Sequence, residues 1–199
     1  LIAQSRFDHR TALENFERTC ELAPLMPGVV KNRTYAQIEL GLHEAAVGQL
    51  RQLSEQRPQE CEVLFSFGYA LRCQHHPELA IQYFERARQY GNTDPELLLN
   101  HGIALRELGR VDEAIEIFDG IRASRPGFEQ ALWHRSLAYL LKGDFHRGWE
   151  NYDLRLLSRD RAQRSQDYAP WQGENPDGSA VLVYGEQGLG DEIMFAACL

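Results

Sequence analysis

Two groups of residues in this 199-residue chain are of types that chemistry uses. The first lies in VLVYGEQGLGDEIMF, residues 181–195. A β-branched and aromatic run, Val181 to Tyr184, is followed by Gly185, Gly188 and Gly190, and then by Asp191 ahead of an apolar segment. A glycine loop between a strand and a helix is a place where phosphates are held. A dinucleotide fingerprint needs G-x-G-x-x-G, whereas the order here is Gly185-x-x-Gly188-x-Gly190. A P-loop closes on Gly-Lys-Ser/Thr, whereas Gly190 precedes an aspartate that repels phosphate at short range. From the residues alone, Asp191 caps the new helix, an effect of about 1 kcal/mol. The second group is His75-His76 with Cys20, Cys61, Cys73 and Cys198. No C-x-x-C spacing occurs, and the histidines have no cysteine or carboxylate at ligand spacing. The cysteines read as buried small residues of a reducing compartment, the histidines as an exposed turn, and no metal site is expected.

Composition narrows the class of partner. The 29 acidic and 21 basic residues give a net charge of -8, which argues against nucleic acid because neutralising phosphates needs a basic face. Hydrophobic residues make up 43% of the chain, enough to build a core without disulfides or metal. No apolar run is long enough to span a bilayer. The opening LIAQSRFDHRTALENF is not a signal peptide, so the expected compartment is the cytoplasm, with a targeting segment further upstream left open.

Stepping by 34 residues reveals what must position any site. One series runs Ala12, Ala46, Ala80, Ala114, Gly148, and a second runs Phe16, Leu50, Phe84, Phe118, Tyr152. A third is Pro24, Pro58, Asn92, Pro126, Asp160. Small, aromatic and proline positions keep one register without insertion. Within residues 95–127, Leu98, Gly102 and Leu105 share one helical face. Gly109 and Arg110 make a turn, and Ala114, Phe118 and Ile121 face back. The unit is therefore a pair of antiparallel helices, with the small residues Gly102 and Ala114 allowing close approach. One pair cannot bury both its faces, so neighbours stack into a superhelix.

This pattern resembles the tetratricopeptide repeat family over about residues 1–162. The resemblance places four repeats at 27–60, 61–94, 95–128 and 129–162, with residues 1–26 as the second half of an earlier one. Repeat 27–60 departs from it at Arg33 and Thr34, repeat 61–94 at its turn (His75 to Glu78), and the last repeat at Gly148 and Trp149. Trp133 and Trp149 suit packing near the end of the array. The resemblance implies protein–protein interaction, with an extended peptide held in a concave groove. The implied groove residues are Lys31, Asn32, Tyr35, Phe65, Ser66, Tyr69, Leu99, Asn100, Arg106, Trp133 and His134. One column within them, Asn32, Ser66, Asn100 and His134, is similar to the asparagine ladder of the O-linked N-acetylglucosamine transferases. Asparagine can clasp a peptide unit as both donor and acceptor, although only two of the four rungs here are asparagine. The Lys/Asn/Arg set of the chaperone-adaptor carboxylate clamp is incomplete.

Beyond the repeats, polar residues with Pro170, Pro176 and Asp177-Gly178 mark a connecting segment at 163–179, and 180–199 reads as the first βα unit of an α/β lobe. The order GDFHRGWENYDLRL, PWQG, VLVYGEQGLGDEIMFAACL resembles bacterial repeat proteins that continue into a heptosyltransferase-like, GT-B glycosyltransferase domain. That resemblance gives Asp191 the role of general base on an acceptor hydroxyl and puts Gly188 and Gly190 in the acceptor loop. It places a nucleotide sugar in a lobe of the longer parent, with no cofactor in this segment and no catalysis by it alone. The competing expectation is a non-enzymatic scaffold or adaptor whose C-terminal tail covers the last repeat. The expected fold is all-α with a short C-terminal strand, glycine loop and helix start.

Overall fold

The computed structural model describes residues 2–23 and 28–157. Helix α1 (Ile2–Leu22) precedes three regular pairs: α2 (Val29–Glu39) with α3 (His43–Gln56), α4 (Cys61–Cys73) with α5 (Pro77–Gln89), and α6 (Pro95–Glu107) with α7 (Val111–Ser124). A fourth pair joins α8 (Glu129–Lys142) to a short α9 (Phe145–Trp149), followed by a 3₁₀ helix, Tyr152–Leu157. The described residues are all-helical, with no strand among them. The strand expected at 181–184, the glycine loop, Asp191 and the connecting segment lie outside the described residues.

The second helices begin at His43, Pro77, Val111 and Phe145, each 34 positions after the one before. The turns ahead of them share one geometry. Gly41, Gly109 and Gly143 have φ of 75°, 74° and 83°. At Gly109 its N–H bonds Arg106 O at 3.0 Å while the next N–H, of Arg110, reaches back to Leu105 O at 2.9 Å. This paired closure uses up carbonyls that a helix end otherwise leaves open. His75 occupies the same register with φ 61°, and the same two bonds form from His75 to Arg72 O and from His76 to Leu71 O. A side chain therefore sits in a left-handed conformation that its neighbours give to glycine.

Second helices end in two ways. Arg57 and Arg125 leave the helical region ahead of Pro58 and Pro126, as a residue before proline is driven to do. Where Asn92 replaces the proline, Gly91 at φ 95° stops α5 instead, and Asn92 N–H closes on Ala87 O.

Inside each pair, shape is conserved by exchange. A Cβ on Gly68 would stand 2.6 Å from Phe84 Cε1, and one on Gly102 2.6 Å from Phe118 Cε1. Both rings are fully buried, so these glycines are space for an aromatic ring. In the first repeat the smaller Leu50 leaves room for Thr34, which is also fully buried and bonds its hydroxyl to Val30 O at 2.9 Å. Between pairs, polar residues fill the junctions. Arg135, 5% exposed, reaches back from α8 to Asp119 on α7 at 2.7 Å and forward to Glu150 at 3.9 Å, and it lies over the Tyr139 ring. His101 is buried beside Phe84 with its Nδ1 unpaired.

The last pair departs from the others. Gly148 packs against Leu140, α9 stops after five residues, and Leu141, Phe145 and Trp149 are exposed. The expectation that Trp149 packs at the end of the array is not met. Among the described residues its ring meets the edge of the Tyr152 ring, at 4.9 Å between centroids, and it remains 57% exposed.

Candidate functional site

The first helices α2, α4, α6 and α8 touch one another in sequence, whereas the second helices α3, α5 and α7 touch only first helices. The array therefore bends with first helices on its inner face, and side chains from successive repeats converge there.

At the α2 end that convergence is closed. Lys31 Nζ lies 3.0 Å from Glu96 Oε2, and the Tyr35 hydroxyl donates a short hydrogen bond to the other Glu96 oxygen. Glu96 stands on α6, two repeats away, so these bonds pass over α4. The Tyr69 ring of α4 fills the gap edge-on to Tyr35, 4.6 Å between centroids. Burial, and then the Glu96 carboxylate, push the Tyr35 hydroxyl far above the usual phenol range, so it remains a donor. Glu62, one repeat before Glu96 in register, takes the N–H groups of Gly28, Val30 and Lys31 at 2.7, 2.9 and 3.1 Å. A carboxylate from α4 thus caps α2, whose own N-cap, Gly28, has no side chain to do so.

At the α8 end the opposite holds. Arg72 Nη1 meets Glu107 Oε1 at 3.3 Å, and its guanidinium lies 5.5 Å over the Tyr69 ring, but its Nε is buried without an acceptor. Arg106, in the same register one repeat on, has no hydrogen bond or ion pair to its guanidinium among the described residues, and its Nε is also buried. Burial lowers its affinity for the proton, with Glu107 acting the other way. Trp133 Nε1 and His134 Nδ1 are buried and unpaired, with the two rings 4.6 Å apart. Burial first, then the charges of Arg106 and Arg72, hold His134 neutral down to about pH 3.

The residues expected in the groove are thereby sorted. Lys31, Tyr35 and Tyr69 are brought together and satisfied, while Arg106, Trp133 and His134 are half-buried with N–H or ring nitrogen atoms unpaired. Phe65 and Leu99 are buried in the core, and Ser66 is 1% exposed with its hydroxyl unpaired. Asn100 is 5% exposed and turns its amide to Glu96 O at 2.8 Å, while Asn32 alone of that column is exposed. Glu62, Glu96 and Arg72 join the face without being among the residues expected there. Stepping back 34 positions from Arg106 finds Arg72, and the same step joins Glu62 to Glu96. The catalytic candidate Asp191 and the loop glycines Gly188 and Gly190 lie outside the described residues.

His75 and His76 are exposed, and among the described residues no cluster of three or more His, Cys, Asp or Glu side chains is placed to hold a metal ion. Cys20, Cys61 and Cys73 are free thiols and half-buried rather than fully so, with Cys61 Sγ 3.0 Å from Tyr90 O. No described helix is long and apolar enough to cross a membrane.

Residues 74–139 match the tetratricopeptide repeat family. Protein FlbA of Caulobacter vibrioides is 29% identical over 126 residues, 60% of this chain; the match spans only 21% of that protein. Among solved structures, PilW, a type IV pilus biogenesis factor, superposes with a TM-score of 0.64 at 21% identity, covering 75% of this chain and 70% of that one. TTC0263, a tetratricopeptide-repeat protein of Thermus thermophilus, gives 0.63 at 20% identity over 76% and 83% of the two chains. YrrB gives 0.56 at 20% identity over 77% and 79%, and is described as having an unusual peptide-binding site. The described helices have the tetratricopeptide-repeat fold, which generally serves protein–protein interaction.

Proposed function

Taking the chain as a tetratricopeptide-repeat array, we propose that its inner face binds an extended peptide segment of a partner protein between α4, α6 and α8. The observation that carries this reading is the cluster of buried, unpaired groups there: Arg72 Nε, Arg106 Nε, Trp133 Nε1, His134 Nδ1 and Ser66 Oγ. Buried polar groups are normally satisfied, and unsatisfied ones on these helices suit a ligand that supplies the partners, although Arg33, Gln37, His43, His101 and Ser136 also carry buried unpaired atoms. The net charge of -8 favours a protein partner over nucleic acid. YrrB, alike in fold, gives the reading a precedent of kind.

The test is hydrogen exchange in the presence of peptides selected on the chain from a random display. Binding should slow exchange in α4, α6 and α8 and leave α3, α5 and α7 as they were. Protection confined to the second helices, or failure to select any binder, overturns the reading.

A second proposal concerns the longer protein. The order of residues 181–199 supports a glycosyltransferase parent in which Asp191 acts as base and a nucleotide sugar is held elsewhere, the repeats themselves using no cofactor. The small share of FlbA taken by the match shows that similar repeats can sit within a much longer chain. Asp191→Asn in the full-length parent should abolish sugar transfer while leaving peptide binding intact; transfer at the parent rate removes the assignment.

A further inference from the structure

Glu62 and Glu96 stand at the same point of successive repeats, yet their carboxylates go to different places. Glu62 turns back one repeat and takes the N–H groups of Gly28, Val30 and Lys31 at the start of α2. The same turn from Glu96 would bring its carboxylate to the start of α4. No side chain caps that helix, and its N-cap residue, Glu60, gives its carboxylate to Arg57 at 3.2 Å. The first N–H groups of a helix, at the positive end of its dipole, are a favourable seat for a carboxylate. Glu96 leaves this seat empty and reaches past α4 to Lys31 and Tyr35 on α2. The backbones of α2 and α6 do not approach each other closely, so bonds through Glu96 bridge a gap that packing does not. Both the Glu96 and the Lys31 side chains are partly exposed, which leaves the carboxylate room to change rotamer.

We propose that Glu96 is a strap with two seats, which sets the curvature of the three repeats it spans. In the observed seat it ties α2 to α6 across α4 and holds the α2–α3 pair at a fixed angle to the α6–α7 pair. In the other it caps α4 as Glu62 caps α2, releases Lys31 and Tyr35, and lets the two pairs turn relative to each other about α4. The fold of each pair is the same in both states. Either seat gives the carboxylate charge-assisted hydrogen bonds, which is what brings two arrangements of one side chain close in free energy. The Tyr35 hydroxyl is the group that loses by the move. Burial keeps it a donor, and its need of an acceptor favours the observed seat. The strap is independent of the peptide reading, because every bond in it is one the chain makes with itself.

The experiment measures residual dipolar couplings of the backbone amides in the 199-residue chain, which report how helices are oriented relative to one another. In the parent, the couplings of α2–α3 and of α6–α7 should fit a single alignment tensor. In Glu96→Ala they should require separate tensors, while the couplings within each pair still fit the structure. A loss of stability alone does not separate them. Lys31→Met combined with Tyr35→Phe removes the observed seat and keeps the strap. The tensors should separate there too, and the amide protons of Cys61, Glu62 and Val63 should shift downfield, an effect lost when Glu96→Ala is added. Arg110→Ala, which breaks an ion pair to Glu113 three residues away, is the control and should keep a single tensor. A single tensor in Glu96→Ala overturns the strap, and separate tensors already in the parent overturn its observed seat. Separation in the double variant without the amide shifts overturns the second seat. Should Glu96→Ala fail to melt cooperatively, Tyr35→Phe alone takes its place; separate tensors are then required of it, and a single tensor overturns the strap.

Discussion

The two ends of the inner face are built from the same helical register and treat their polar groups in opposite ways. Around α2, Glu62 and Glu96 satisfy three backbone N–H groups, an ammonium and a phenol. Around α8, a guanidinium, an indole and an imidazole have buried atoms and no partners among the described residues. Both ends lie on one continuous run of first helices, so backbone geometry does not account for the difference. It lies in position two and position twelve of the repeats. Glutamates at position two reach back toward α2 and close it, while arginines at position twelve collect toward α8 with one glutamate between them. An array of nearly identical units can therefore hold a rigid end and a receptive end without changing its fold.

The receptive end is not loosely made, and the largest expected effect tests this. Arg135 anchors the last pair through Asp119, on the face of α8 that meets α7. Asp119→Ala leaves a buried guanidinium with the more distant Glu150 and the Tyr139 hydroxyl. It should cost about 3 kcal/mol, read as a fall in urea midpoint. A loss below about 0.5 kcal/mol, typical of exposed ion pairs, would mean the α7–α8 junction is soft and the unpaired groups beside it signify looseness.

Next comes the direct contrast. Glu96→Ala removes the acceptor of Tyr35 and the partner of Lys31. The Lys31 and Glu96 side chains are 27% and 34% exposed, so most of the loss comes from the buried phenol, about 2 kcal/mol in all. Arg106→Ala, by comparison, should stay within about 0.5 kcal/mol of the parent, because its guanidinium has no bond to lose. Equal losses in paired chemical denaturations would erase the distinction between the ends.

Acid should distinguish them as well. His101 and His134 are held to about pH 4 and about pH 3, mainly by burial. Both lie below the unfolded value near 6.5, so the unfolded chain takes up protons first as pH falls. The stability linked to them is complete above about pH 6.5 and declines as pH drops from there toward 4, by roughly 1–2 kcal/mol per histidine at about pH 5. His134→Gln should flatten that decline, and hydrogen exchange should place the remaining loss at α6, around His101. An unchanged pH profile in the variant would show that His134 is solvated at the open end.

The pairs are legible in the sequence because their signals are local. Alanine, aromatic, glycine and proline positions repeat at a fixed step, and each has its own steric reason. The site is legible only in part. Stepping by 34 finds which residues share a face, but Glu96 reaches two repeats back to Tyr35, and no single repeat encodes the curvature that brings them together. Asn100 shows the same limit from the other side: its register is that of a groove residue, yet its amide bonds its own helix. His75 reads from the sequence as part of an exposed turn, and the structure agrees, but its positive φ follows from the glycines that share its register.

That turn supplies the smallest expected effect and a control on the whole comparison. His75 adopts φ 61° where Gly41, Gly109 and Gly143 adopt 75°, 74° and 83°, and its closing bonds are the same as theirs. A side chain in this conformation is strained by on the order of 1 kcal/mol, part of which glycine returns as flexibility of the unfolded chain. His75→Gly should therefore raise stability by about 0.5 kcal/mol, and Gly109→His should lower it by at least as much, both measured by thermal melting. Neither change alters the side chain of Glu96 or Arg106, so the peptide affinity and the response to Glu96→Ala should be those of the parent. A shift in peptide affinity on His75→Gly would mean that the turns set the spacing of the first helices, and the contrast between the two ends would then belong to the backbone after all.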